Sequence, residues 1–129
     1  LPRQTLGSYF LARDLFAFHS TFETFGLVVV QAMSYGRAVV TVRNTALPEV
    51  VGDAGLLVET GDWRGLGDAM ARLVGDETLR RRLGEAGRNR AETLFNWDAI
   101  AEQYEDVLSR AAVGKHVDRG TKECAARTP

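Results

Sequence analysis

Apolar positions along the chain follow two rhythms, and the changes of rhythm divide it into elements. In "RQTLGSYFLAR" (3–13) Leu6, Tyr9, Phe10 and Arg13 recur at helical spacing, with Asp14 as punctuation. "LFAF" (15–18) is an unbroken apolar run between Asp14 and "HST", the pattern of a buried parallel strand. "GLVVVQAMSYG" (26–36) is long enough for a helix despite its three valines, and Gly36 supplies a stop. "AVVTV" (38–42) reads as a β-branched strand. "LPEVVGDAG" (47–55), broken by Pro48, Gly52 and Gly55, reads as a turn or helical corner, and "LLVE" (56–59) as a third strand. The rest is helical. "GDWRGLGDAMARLVGD" is amphipathic with Asp62 as N-cap, and "DETLRRRLGEAGRNRAETLF" and "NWDAIAEQYEDVLSRAA" follow, Asn96 capping the last.

Strands alternating with helices predict an α/β fold, a parallel sheet with helices on its faces. Three strands are few for an independent doubly wound sheet, so the expectation is the latter half of a Rossmann-like one. Residues 1–111 form the expected domain fragment. Apolar periodicity is lost in "VGKHVDRGTKECAARTP", and 112–129 is expected to be a disordered tail.

Composition narrows the function. With 129 residues, 45% hydrophobic and 26% charged, the chain holds one domain at most. Sixteen basic against 17 acidic residues give a net charge of -1, which sets up no overall field for nucleic acid or an anionic membrane. Glutamates interleave the basic run "LRRRLGEAGRNR" and aromatics do not, so it reads as a solvated helix face. No apolar run approaches the ~20 residues of a membrane span. The lone Cys124 cannot form an internal disulfide and fits a reducing compartment, so the expected location is cytoplasmic, with peripheral attachment at the inner membrane left open for a full-length protein. His116 and Cys124 lack metal-ligand spacing, and no metal or cofactor is expected. Leu1 is not an initiator, so a preceding segment is expected.

Candidate chemistry gathers in "HSTFETFGLVVVQ". Ligands of open α/β sheets sit beyond the carboxyl ends of the strands, where this loop falls after Phe18. Gly26 permits close backbone approach, and the helix after it offers unpaired N–H groups and a positive dipole end, an anion site. Glu23 lies just outside that end, placed to accept from hydroxyls of a group attached to the anion. Gln31, five residues beyond Gly26, stands about 7.5 Å further along the helix, the reach from a phosphate to its ribose. An amide at a packed position needs partners.

These residues, "HSTFETFGLVVVQAMSYGRAVV" followed by "LPEVVGDAGLLVETGD", resemble the C-terminal domain of retaining GT-B glycosyltransferases, the family-4 or glycosyl transferases group 1 type, over roughly residues 2–109. The family pattern is an E-x7-E helix approach followed by G-L-P-E-V-V and G-x-L-V. The resemblance implies sugar transfer from a nucleotide-sugar donor to an acceptor with retention and without an essential metal. It implies that Glu23 contacts donor-sugar hydroxyls. Thr24, Phe25, Gly26 and Leu27 would bring their amides to the sugar and diphosphate, and Gln31 would take the place of the ribose-holding glutamate. The basic residues that neutralise the diphosphate, and the acceptor domain, precede this segment in the family, so the isolated chain is expected to be inactive. Gln31, His19 in place of proline, and "RNTALPE" in place of a glycine-rich approach depart from the pattern.

Blander readings stand beside these. Glu23 could only complement the helix dipole, and Gln31 could be a surface polar residue. Glu49 could serve the corner, His19 a structural contact and Arg43 solvent, while Phe25, Trp63 and Trp97 read as core or hinge packing. The rival function is a non-catalytic remnant or nucleotide-sugar-binding module of the same fold. A dinucleotide-dependent oxidoreductase would need a G-x-G-x-x-G turn, which the sequence lacks.

Overall fold

The computed structural model describes residues 3–112, with side chains from Thr5 onward. The expected tail therefore lies, from residue 113, outside the described residues. The order is α1 (Arg3–Leu11), β1 (Leu15–Phe18), α2 (Leu27–Ser34), β2 (Ala38–Arg43), α3 (Leu47–Val51), β3 (Gly55–Glu59), α4 (Trp63–Gly75), α5 (Glu77–Leu94) and α6 (Trp97–Ala112). Every expected element is present. The corner is a one-turn helix, and α1 stops two residues before the expected Arg13.

The three strands are parallel in the order β1-β2-β3, Leu15 pairing with Ala38 and Val39 with Gly55. Central β2 is buried from Ala38 to Val42, as a strand covered on both faces must be. Val39 and Val42 pack with Val29, Val30 and Met33 of α2 and Val50 and Val51 of α3. Ala38 and Val40 pack instead with Leu73 of α4 and Leu79 and Leu83 of α5. Buried Thr41 spends its hydroxyl on the carbonyl of Phe18 at 2.8 Å, fastening the carboxyl end of β1 to β2.

The expected caps form. Asp62 Oδ1 accepts from Gly65 N–H at 2.8 Å and Asn96 Oδ1 from Ala99 N–H at 2.7 Å. Gly36, at φ 68°, ends α2 as expected: its N–H donates to Met33 O, and that of Arg37 to Ala32 O.

Of the core or hinge packing expected for three aromatics, the core alternative is corrected. Trp63, Trp97 and Phe25 are 65%, 81% and 41% exposed and do not fill a core. Trp97 opens α6, a helix with no buried residue. Its apolar face, including Tyr104, Val107 and Leu108, is left exposed.

The basic run on α5 is only partly a solvated face. Arg81 and Arg88 make exposed ion pairs one turn apart with Glu77 and Glu92. Arg80 instead donates to the carbonyls of Leu73 and Val74, and Arg90 to those of Val50 and Glu49, so these two guanidinium groups brace α5 against α4 and α3.

Candidate functional site

The loops after β1, β2 and β3 meet at the carboxyl edge of the sheet. Asn44 Nδ2 donates to Ser20 O at 3.0 Å, and the Thr45 hydroxyl donates to Glu23 O. Ser20 Oγ turns inward to Phe22 O at 2.8 Å, and Thr60 Oγ1 to Arg43 O at 3.4 Å. His19 stacks on Trp63 with ring centroids 3.9 Å apart, joining the end of β1 to the start of α4. His19 Nε2 is buried without a hydrogen-bond partner among the described residues. Loop 19–26 is thus held from three sides.

Gly26 is the N-cap of α2 in a left-handed conformation, φ 82° and ψ 45°. A Cβ there would stand 2.7 Å from Leu47 Cδ2 and 3.6 Å from Glu23 Cγ, so glycine is needed for both dihedral and space. Its carbonyl takes the N–H groups of Val29 and Val30 at 2.8 and 3.2 Å. The N–H groups of Gly26, Leu27 and Val28 find no acceptor among the described residues, which leaves a row of donors at the positive end of the helix.

Glu23 lies beside this row with its carboxylate folded over its own loop. Oε1 accepts from Thr24 N–H at 3.0 Å and Phe25 N–H at 3.4 Å. None of the ion pairs among the described residues includes Glu23. Phe25 is exposed and meets Phe95 edge-on at 5.6 Å. Leu27 is 61% exposed, one turn before half-buried Gln31 on the same stripe of α2. The Gln31 side chain has no hydrogen-bond partner among the described residues, and its neighbours Val29, Val30, Ala32 and Met33 are buried. The six sequence-predicted residues therefore lie along one shelf, from Glu23 through the leading turn of α2 to Gln31, with Thr24, Phe25 and Leu27 exposed, Glu23 and Gln31 half-buried and Gly26 buried.

Other candidates lie off this shelf. Arg43 is spent on Glu59 at 3.1 Å, and Glu49 is exposed with only its main-chain carbonyl engaged. Thr45, which the sequence reading passed over, is a positioning residue, and the glycine-rich approach it interrupts was the available signal. Cavities lined by Asp14, Gly36, Arg37 and Arg81, and by Tyr35, Glu85 and Arg88, lie at the amino edge of the sheet, away from the shelf. Among the described residues no group of three or more His, Cys, Asp or Glu could hold a metal, and no helix is long and apolar enough to cross a membrane.

Residues 1–90 match the family described as glycosyl transferases group 1. The chain is 38% identical over 96 residues to N-acetyl-alpha-D-glucosaminyl L-malate synthase of Bacillus anthracis, covering 73% of this chain and 25% of that protein. Its fold superposes on sucrose-phosphate synthase of Thermosynechococcus elongatus with a TM-score of 0.78 and 34% identity, over 85% of this chain and 28% of that one. It also superposes on Anabaena HepE, solved in complex with UDP-glucose, with a TM-score of 0.73 and 28% identity, over 79% of this chain and 29% of that one. The chain spans between a quarter and a third of each of these proteins. The match over residues 1–90, with the relatives above and the parallel α/β sheet, places the chain in the glycosyl transferases group 1 family.

Proposed function

We propose that this chain is the donor-binding portion of a retaining, nucleotide-sugar-dependent glycosyltransferase, and that the shelf from Glu23 to Gln31 receives the donor. The observation that carries the reading is the row of unpaired N–H groups at Gly26, Leu27 and Val28 beside a carboxylate that has no cationic partner among the described residues. The amides suit a diphosphate, and the carboxylate suits hydroxyls. HepE, solved with UDP-glucose, supports a ligand of this class.

The chemistry follows from where charge grows. As the bond from the anomeric carbon to the phosphate oxygen breaks, the electron pair leaves with the diphosphate. Fixed N–H donors aimed at that group stabilise it more in the transition state than in the donor. Gln31 cannot act as a nucleophile. It offers ribose one neutral acceptor and a donor, a weaker grip than a carboxylate. The acceptor site and the basic groups that complete diphosphate neutralisation belong in this reading to the whole protein, and the 129-residue chain alone transfers no sugar. The reading gives a metal or cofactor no part and places the reaction in the cytoplasm.

The test is titration of UDP-glucose into the chain and into Gln31→Glu. A ribose-facing residue 31 predicts binding about fivefold tighter in the variant, the advantage of one charge-assisted hydrogen bond. Absence of binding in both supports the second reading, a non-catalytic remnant, which the amide at position 31 favours.

A further inference from the structure

We infer that the Glu23 carboxylate discriminates donor from product: it occupies two of the loop amides that a diphosphate needs, so a bare diphosphate competes with it while a sugar-bearing donor compensates it. This inference rests on the donor-site reading above.

Five successive N–H groups, from Thr24 to Val28, line the turn into α2. The first two are taken by Glu23 Oε1, at 3.0 and 3.4 Å, and the next three have no acceptor among the described residues. The row is therefore divided between an anion supplied by the chain and an empty stretch. The main chain of Glu23 is fixed by Thr45, so the side chain can rotate off the amides while the loop stays in place. Arg43, at the end of β2, is paired with Glu59.

An incoming diphosphate that reaches Thr24 and Phe25 must displace a carboxylate bonded to two N–H groups and then lie beside it, like charge against like charge. A sugar on the diphosphate changes that balance, since its hydroxyls donate to the displaced carboxylate and replace the lost bonds. After transfer the nucleoside diphosphate has no such hydroxyls and carries one more negative charge. The carboxylate then returns to the amides, which favours release of the spent nucleotide, a step that often limits turnover. A carboxylate that only capped the loop would do the reverse, since its removal would loosen the amides and weaken every anion.

The two cases separate by titrating inorganic pyrophosphate into the ¹⁵N-labelled chain, Glu23→Gln and Glu23→Ala, following the amide signals of residues 24–28. The expected result is pyrophosphate binding about fivefold tighter in the variants, with the largest shifts at Thr24 and Phe25, and UDP-glucose binding weaker. Equal or weaker pyrophosphate binding in both variants, or no shift at residues 24–28 in any of the three proteins, overturns the inference. Tighter pyrophosphate binding in the variants with no UDP-glucose binding in wild type or Gln31→Glu overturns the donor reading instead, and leaves the competition at the amides established.

Discussion

The hydroxyl of Thr45 donates to the main-chain carbonyl of Glu23, so the loop after β2 holds the residue whose carboxylate accepts from the Thr24 and Phe25 amides ahead of α2. Thr45 does this from φ 42°, the only positive φ outside glycine among the described residues, and a β-branched residue there is strained.

Two substitutions separate strain from hydrogen bond at that position. Thr45→Ala keeps the strained dihedral and loses the bond, and is expected to cost about 1 kcal/mol in urea denaturation. Thr45→Gly loses the same bond but relieves the dihedral, and should be more stable than Thr45→Ala by about 1 kcal/mol. Equal stabilities would show that residue 45 is unstrained in solution.

The two interior glycines of α5 should behave in opposite ways. A Cβ on Gly84 would stand 2.3 Å from Gly36 O and 3.1 Å from Gly36 C, backbone atoms that cannot swing aside. A Cβ on Gly87 would meet Met33 Cγ at 3.4 Å, close to ordinary contact. Gly84→Ala should therefore destabilise by about 3 kcal/mol or more by separating α5 from the turn into β2. Gly87→Ala should range from neutral to about 1 kcal/mol stabilising through helix propensity. Thermal unfolding of the two variants checks the contrast.

Among the arginines of α5, cost should follow bonding partner rather than charge. Arg90 donates to Val50 O at 2.9 Å and Glu49 O at 2.7 Å, closing α3 from a distant point in the chain. Arg90→Met should cost about 1–3 kcal/mol by leaving two carbonyls without their donor. Arg88→Ala removes only an exposed pair with Glu92 and should cost about 0.5 kcal/mol or less, and less still at high salt. Denaturant midpoints of both variants, with and without added salt, test this.

The legible parts of this molecule are those written over a few consecutive residues. The caps Asp62 and Asn96 and the stop at Gly36 each depend on near neighbours, and each was read correctly; 15–18 read as a buried strand, yet β1 is the outer strand beside β2, with Leu15, Phe16 and Phe18 half-buried and Ala17 exposed. What depends on distant packing was not. Trp63 and Trp97 read as core or hinge packing, yet both are exposed, one opening α4 over His19 and the other a helix with no buried residue. Arg80 and Arg90 sit in a charged run and gave no sign that carbonyls on other helices would face them. At the candidate site, the position of Glu23, Gly26 and Gln31 along one helix start followed from spacing. The turn of the Glu23 carboxylate onto Thr24 and Phe25, and the support from Thr45, follow from how three loops meet, which no local pattern encodes.

The central claim is that a nucleotide-sugar is gripped where α2 begins. Its most direct test is an amide chemical-shift map of the chain on adding UDP-glucose. The account predicts that the largest changes fall on Thr24, Phe25, Gly26 and Leu27, with a second group around Gln31. Changes centred on Gly36, Arg37 and Arg81 at the opposite edge of the sheet, or no change at residues 23–31, would contradict it.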